Sequence, residues 1–239
     1  IWQDEIGYMW FGTRSGLNRF DGNSIEVYRM DEQGKSGLPS NLINKVLGDN
    51  KGMIYLIAGY NNLVAYDMRK NNFKTLESDC QAMGISKNGL WYERKGAIYK
   101  LSSDLKKTLF YQASESWVIN CFYETIDNDL LVGTENGLYQ IDNKKNIRLL
   151  VDGANISAIY EDRKKNIWLG SNGNGMFRLL PNGRLAEQGE LNEKLSSKII
   201  RDICEDNNGE IWIGTFAGLN KLAPETGKIT VYSGVDSKP

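Results

Sequence analysis

The side chains that could carry out acid–base or nucleophilic chemistry are few. The sequence has no histidine, which excludes a His-dependent general base, a Ser-His pair and the commonest transition-metal ligand. Two adjacent carboxylate pairs remain, Glu161 with Asp162 and Glu205 with Asp206, but both pairs occupy one position of a repeated turn. The run DNNGE from Asp206 also lacks the later carboxylates of a calcium loop. We therefore expect structural carboxylates and no catalytic residue, metal or cofactor.

A second group of side chains could bind a ligand without reacting with it. These residues fall in the predicted loops that lead into first strands or join second and third strands, which share one face of the predicted fold. Sugars are typically held by an aromatic ring and by planar polar groups on their hydroxyls, and the group contains both kinds. Variable loop residues without a function are the alternative. The candidates are Arg14, Tyr60, Arg94, Trp117, Asn172 and Phe216.

A repeated segment must position these residues. The stretches GYMWFGTRSGLNRF from Gly7 and GEIWIGTFAGLNKL from Gly209 are identical at seven of fourteen positions. Further copies begin at Gly52, Asn88, Asn128 and Lys165. The framework positions, at which most copies have an aromatic residue, are Trp10, Tyr55, Trp91, Leu131, Trp168 and Trp212, with spacings of 45, 36, 40, 37 and 44 residues. A period near forty with strand-type content is typical of a propeller blade.

The repeat predicts an all-β chain, a β-propeller of four-stranded antiparallel blades with about six copies in one domain. Only four Pro against 25 Gly, without helical periodicity, favour the same class. We expect longer polar loops between blades at residues 31–42 and 189–197. The predicted blades are residues 1–42, 43–79, 80–117, 118–154, 155–198 and 199–239.

Turn chemistry within the copies supports the repeat. Three residues before the framework position, five of six copies have Gly or Asn, which accept a left-handed backbone most easily; these positions are Gly7, Gly52, Asn88, Asn128, Lys165 and Gly209. Six residues before the framework position, four copies have Asp, which can accept hydrogen bonds from turn amides. The other two copies have Ile85 and Thr125 there. We place both positions in the loop between the first and second strands. The framework Trp residues are predicted to pack between blades.

Composition restricts the function further. Lys and Arg number 29 against 30 Asp and Glu, so there is no basic footprint for nucleic acid. No apolar run approaches the roughly 18 residues of a membrane span. The three cysteines suggest no disulfide framework, and Cys121 and Cys204 are predicted to be buried free thiols. The chain starts at Ile1 within a strand pattern, and we expect it to be a piece of a longer protein.

These motifs resemble a known family. The repeat, with its Asp, Gly, Trp-x-Gly-Thr and Gly-Leu positions, resembles the two-component regulator propeller repeat of periplasmic sensor regions in hybrid two-component systems of Bacteroidetes. The opening IWQDEIGYMWFGTRSGLNRFDG, and GLNRFDG above all, carries the resemblance most specifically, whereas the copies at Gly52 and Asn88 depart from it.

The resemblance implies a periplasmic, non-catalytic domain that senses an oligosaccharide from polysaccharide breakdown and signals to a histidine kinase module elsewhere in the protein. It also implies two seven-bladed propellers and a β-sandwich module in the full chain, and a homodimer. From the charge balance we expect no nucleic acid partner. This sequence would then be most of the first propeller. Two alternatives stay open: a secreted glycan-active propeller enzyme, either a hydrolase or a lyase, and a pure protein-interaction scaffold.

Overall fold

The chain folds almost entirely into β-strands. A computed structural model describes residues 1–31, 33, 36–113, 117–186 and 189–232. The strands in these ranges form six antiparallel sheets of four consecutive strands each. The predicted all-β class and β-propeller blades are therefore confirmed. Contacts between residues divide the chain into two compact units, residues 1–115 (unit 1) and 116–239 (unit 2).

Unit 1 contains blades 1 to 3. Their strands are β1 (Trp2–Gln3), β2 (Met9–Thr13), β3 (Gly16–Phe20) and β4 (Ile25–Tyr28); β5 (Ile43–Gly48), β6 (Met53–Ala58), β7 (Asn62–Asp67) and β8 (Asn72–Glu77); β9 (Met83–Ser86), β10 (Gly89–Arg94), β11 (Ala97–Leu101) and β12 (Lys107–Gln112). The connection between blades 1 and 2 was expected to be a polar loop, yet it buries Leu38 in the apolar core between these two blades.

Unit 2 contains blades 4 to 6. Their strands are β13 (Ile119–Glu124), β14 (Leu130–Thr134), β15 (Gly137–Ile141) and β16 (Ile147–Asp152); β17 (Ile156–Glu161), β18 (Ile167–Ser171), β19 (Met176–Leu179) and β20 (Leu185–Ala186); β21 (Ile200–Glu205), β22 (Ile211–Thr215), β23 (Gly218–Ala223) and β24 (Lys228–Tyr232).

A short helix, α1 (Gly189–Lys194), stands where the sequence predicts a polar loop. The prediction was wrong because Leu191 and Leu195 pack against the apolar core between blades 5 and 6. The Asn192 side chain also accepts the N–H of Met176 at 2.7 Å and donates to its carbonyl at 3.1 Å. Within the described ranges, no helix has the length and apolar character that crossing a bilayer requires.

The predicted role of the turn aspartates is confirmed. Asp4, Asp49, Asp162 and Asp206 each accept backbone N–H groups of the turn between the first and second strands of their blade. In three of these blades the same carboxylate also accepts the framework indole N–H, over 2.8 to 2.9 Å. The sequence analysis missed this second bond, although an Asp six residues before a Trp is its signature.

The left-handed turn position is confirmed in five of the six copies. Positive φ angles occur at Gly7, Gly52, Asn128, Lys165 and Gly209. Blade 3 is the exception, since Ile85 lies inside β9 and the positive φ of 132° falls on Gly89 instead of Asn88. Its first hairpin is shorter, because β9 runs to Ser86 and β10 starts at Gly89.

A cation lies over each framework indole. The residue directly opposite the Trp on the third strand is Arg or Lys, at 5.9 Å for Arg19 and Trp10, 4.6 Å for Lys100 and Trp91, 4.8 Å for Arg178 and Trp168, and 5.7 Å for Lys221 and Trp212. In the two blades without a framework Trp, Tyr55 faces Ala65 and Leu131 faces Gln140. Such contacts contribute about 0.5–1 kcal/mol each when exposed.

Neighbouring blades approach each other closely at the Gly that follows the framework position by two residues. A Cβ atom built on Gly12, Gly133 or Gly170 would lie 2.8, 2.9 and 2.5 Å from the Cγ2 atom of the Ile at the start of the next blade's first strand. Trp10 and Trp168 are at most 1% exposed and pack in the cores between blades 1 and 2 and between blades 5 and 6, which confirms their predicted role. Trp91 is 2% exposed, and Trp212, in the last blade of unit 2, is half-buried.

The prediction for the cysteines was half right. Cys121 is buried, but Cys204 is exposed. Cys204 pairs with Trp212 across β21 and β22, so it lies on the face that has no further blade of unit 2 to cover it. Cys80 is buried, and burial raises the pKa of its thiol to about 12, which makes it a poor nucleophile.

Tyr55 has a buried hydroxyl without a hydrogen-bond partner among the described residues, and burial with the nearby Asp49 charge raises its pKa to about 12. We expect Tyr55→Phe to leave the free energy of unfolding unchanged or to raise it by up to about 1 kcal/mol, because an unpaired buried group is removed. Tyr66→Phe is the control, since the Tyr66 hydroxyl donates to Asn71 over 2.8 Å, and its loss should cost about 1 kcal/mol. Urea denaturation measures both; equal losses would contradict the expectation.

Candidate ligand-binding surface

The candidate residues lie at one end of their blades. Backbone N–H groups in the turns between second and third strands donate to the loops that lead into first strands: Gly59 to Leu42 over 2.7 Å and Phe216 to Ile199 over 2.9 Å. We call this the turn end of a blade, and the opposite end the far end. The close contact of Gly12 with Ile43 places the turn ends of blades 1 and 2 side by side.

Two of the unit 1 candidates are exposed and therefore accessible to a ligand. Arg14 is exposed in the turn between β2 and β3, where the Thr13 hydroxyl donates to the Gly16 carbonyl over 2.8 Å. Tyr60 is 96% exposed, which is unusual for a large ring with an apolar body. Its neighbours Gly59 and Asn61 have positive φ angles of 58° and 61°, so the turn itself holds the ring outward.

Arg94, the third candidate of unit 1, is held by neighbouring side chains. Its guanidinium pairs with Glu77 over 2.9 Å, and the same carboxylate accepts Lys107 over 2.6 Å and the Tyr92 hydroxyl over 3.3 Å. Burial and the Glu77 charge raise the pKa of Tyr92. This cluster joins blade 2 to blade 3, which gives Arg94 a structural role besides any contact with a ligand.

The unit 2 candidates differ in the same way. Phe216 is 72% exposed, and Asn172 is exposed where it bridges to Ile199. Trp117 is half-buried because its ring lies 4.2 Å from that of Tyr139, tilted by 30°. Its position is therefore set by blade 4, and part of its surface stays open. The structure thus groups the six candidates as two sets of three at turn ends, and their role in binding stays a prediction.

Sequence reasoning missed the polar network that supports the Phe216 turn. Asn220, fully buried, accepts the Ser196 N–H over 2.9 Å and donates to the Ser196 hydroxyl over 2.7 Å. The Ser196 hydroxyl is also 2.8 Å from that of Thr215, so the segment after α1 is fixed to the turn. The signal was the Thr-x-x-Gly-Leu-Asn string of the first and last copies; in the first copy Asn18 donates to Thr13 over 3.2 Å.

The two carboxylate pairs are engaged in structural contacts. Glu161 accepts the Tyr123 hydroxyl over 2.8 Å, and burial together with this bond raises the pKa of Tyr123. Glu205, with a side chain only 6% exposed, accepts the Arg163 N–H over 3.0 Å. Asp162 and Asp206 are bound to turn amides and indoles.

Comparison with solved structures establishes the fold class. The extracellular domain of a hybrid two component system from B. thetaiotaomicron is similar at 20% identity and a TM-score of 0.77, over 99% of this chain and 33% of that one. A catalytically inactive His-to-Ala variant of virginiamycin B lyase from Staphylococcus aureus, with quinupristin, is similar at 14% identity and a TM-score of 0.78, over 99% and 84%. At such identities these likenesses establish the β-propeller fold alone.

Two segments of the chain match a family model. The model of the two component regulator propeller matches residues 150–173 and 194–217. Histidine kinase P4 of Formosa agariphila is 45% identical over 38 residues, which are 16% of this chain and 3% of that protein. The chain therefore carries the two component regulator propeller repeat, which confirms the resemblance seen in its motifs. It spans about a third of the B. thetaiotaomicron domain that it matches.

Proposed function

We propose that the chain is a non-catalytic, extracytoplasmic ligand-sensing domain of a two-component signalling protein, and that its ligand is an oligosaccharide. The family repeat and the likeness to an extracellular domain of a hybrid two component system support the sensor role. The observation that carries the ligand class is that each unit has an exposed ring at a turn end, Tyr60 of unit 1 at 96% and Phe216 of unit 2 at 72% exposed. A sugar's apolar face covers such rings well, and exposed Arg14 and Asn172 supply planar polar groups.

The alternative of a glycan-active enzyme draws support from the likeness to virginiamycin B lyase. That lyase is inactive when a His is changed to Ala, whereas this chain has no His. The carboxylates of both adjacent pairs are held in structural contacts. Binding without turnover therefore fits this chain better, and a scaffold without a small ligand would leave the exposed rings without a function.

Signalling requires more than this chain. We propose that it operates in the periplasm within a longer protein that has a second propeller, a β-sandwich module and a kinase module, and that the whole acts as a homodimer. A ligand that prefers one arrangement of the dimer would shift the population toward it, by no more than its differential affinity for the two arrangements.

The test is calorimetric titration of the chain with defined oligosaccharides, followed by assays for their cleavage. We expect saturable binding, no turnover, and at least about a tenfold loss of affinity, equivalent to about 1.4 kcal/mol, in Tyr60→Ala, Phe216→Ala or Trp117→Ala. The control is Ile126→Ala, which removes an apolar side chain that is 61% exposed at the far end of blade 4. Turnover would support the enzyme hypothesis instead, and absence of binding would contradict the proposed binding at the turn ends.

A further inference from the structure

A cavity of about 310 Å³ lies in unit 1, between blade 2 and one turn of blade 3. On blade 2 it follows two cross-strand rows, one with Met53, Asp67 and Asn72 and the other with Ala65 and Lys74. The first row is at the far end of the blade, because Met53 begins β6 and the turn with Tyr60 follows the end of that strand. The cavity is therefore separate from the candidate surface at the turn ends.

The floor and one wall of the cavity are apolar. Ala65 is 2% exposed, and Met53 and Leu105 pack on the same core cluster. Leu105 has a φ of 62°, a left-handed conformation that a leucine adopts only at a cost. The same turn in blades 4 and 5 has Lys145 and Gly183 at that position. In blade 3 the turn has a leucine in this unfavourable conformation, and the leucine side chain forms one wall of the cavity.

The rim has polar side chains with unused hydrogen-bonding capacity. Within the described part of the chain, no hydrogen bond or ion pair involves the side chains of Asn72, Lys74 or Ser103. Asp67 pairs with Lys70 over 3.1 Å, and Asp104 accepts the Ser102 hydroxyl, a bond that lowers the pKa of Asp104. Both carboxylates therefore stay ionised at neutral pH, and since Lys70 and Lys74 also line the cavity, the formal charges on the rim sum to zero.

The apolar floor together with the polar rim favours an uncharged ligand with hydroxyl groups. A charged ligand gains little from a rim whose formal charges sum to zero, whereas hydroxyl groups could both donate to Asp104 and Asn72 and accept from Lys74, Asn72 and Ser103. The apolar floor suits the C–H face of a ring. The volume is at the lower limit of small-molecule sites. We propose that this cavity binds one neutral sugar unit or a polyol of similar size, at a site distinct from the turn-end surface and independent of its occupancy.

The proposal is tested by calorimetric titration of the chain with D-glucose, D-galactose, D-mannose and myo-inositol. We expect saturable binding of at least one of them, and at least a tenfold loss of affinity in the double variant Asn72→Ala/Lys74→Ala, whose exposed side chains make no hydrogen bond or ion pair with the described residues. Lys228→Ala is the matched control, since it removes an exposed lysine at the start of the fourth strand of blade 6. Unchanged thermal unfolding verifies that the variants remain folded.

The outcomes separate this site from the turn-end surface. Loss in the double variant, with binding retained in Lys228→Ala and in Tyr60→Ala/Phe216→Ala, supports the cavity. The proposal is overturned if none of the four probes binds, or if the double variant binds as the parent does. A loss confined to Tyr60→Ala/Phe216→Ala would also overturn it, and would assign the binding to the turn ends.

Discussion

Replacing Asp162 by Ala is expected to lower the free energy of unfolding by about 3 kcal/mol or more. The carboxylate is 5% exposed and accepts four hydrogen bonds. Its donors are the N–H groups of Lys164 and Asn166, the Asn166 amide and the Trp168 indole, over 2.8 to 2.9 Å. Truncation leaves these donors unpaired, two of them on buried side chains, and opens a void beside the indole.

The matched control is Asp142→Ala. Asp142 accepts the corresponding bonds from Lys144 and from the backbone and side chain of Asn146, each over 2.8 Å, but it is only partly buried and has no indole partner. Water can replace it there, so the loss should stay near 1 kcal/mol or below. Urea denaturation of both variants compares them, and similar losses would mean that the indole bond and burial contribute nothing.

Replacing Gly170 by Val should have a comparable or larger effect, at least about 3 kcal/mol, and Gly170→Ala about 2 kcal/mol. A Cβ atom on Gly170 would lie 2.5 Å from Ile200 Cγ2 and 2.8 Å from Ile200 Cβ. Neither strand can retreat without losing its pairing, since β18 and β21 are both bonded within their own sheets. The variant must therefore push blade 5 away from blade 6.

Gly214→Ala is the control for this prediction, because Gly214 occupies the same Trp-x-Gly position in blade 6. The nearest atom to a Cβ there is the Asp202 carbonyl oxygen at 3.7 Å, an ordinary contact. Alanine should then be neutral or stabilise by about 0.5 kcal/mol through the unfolded state. Thermal unfolding distinguishes the two, and an equal loss at Gly214 would show that glycine is needed for the strand itself.

Most of the fold could be predicted because its determinants are short-range. The Asp, Gly and Trp positions of one hairpin lie within seven residues of one another, so they can be recognised directly in the repeated sequence. What depends on a neighbouring element was missed. Helix α1 has weak helical signals and exists because Leu191 and Leu195 cover a core, and Cys204 is exposed because of its place in the last blade of unit 2.

The candidate site was predictable to the level of the loops and no further. The hairpin pattern placed Tyr60 and Phe216 in exposed turns. It could not show that Arg94 is bound to Glu77, because the two residues meet only when blades 2 and 3 pack together. The same holds for the cavity, whose floor at Met53 and wall at Leu105 are about fifty residues apart in sequence.

The directions of the pKa shifts have a consequence for the medium in which the domain works. Burial moves the pKa values of Tyr55 and Cys80 up to about 12, and a hydrogen bond moves that of Asp104 down, so these shifts lead away from neutrality. Without histidine, no side-chain type present ordinarily titrates between pH 5.5 and 7.5. Protonation of histidine, the usual way in which a protein responds to mild acidification, is therefore not open to this domain.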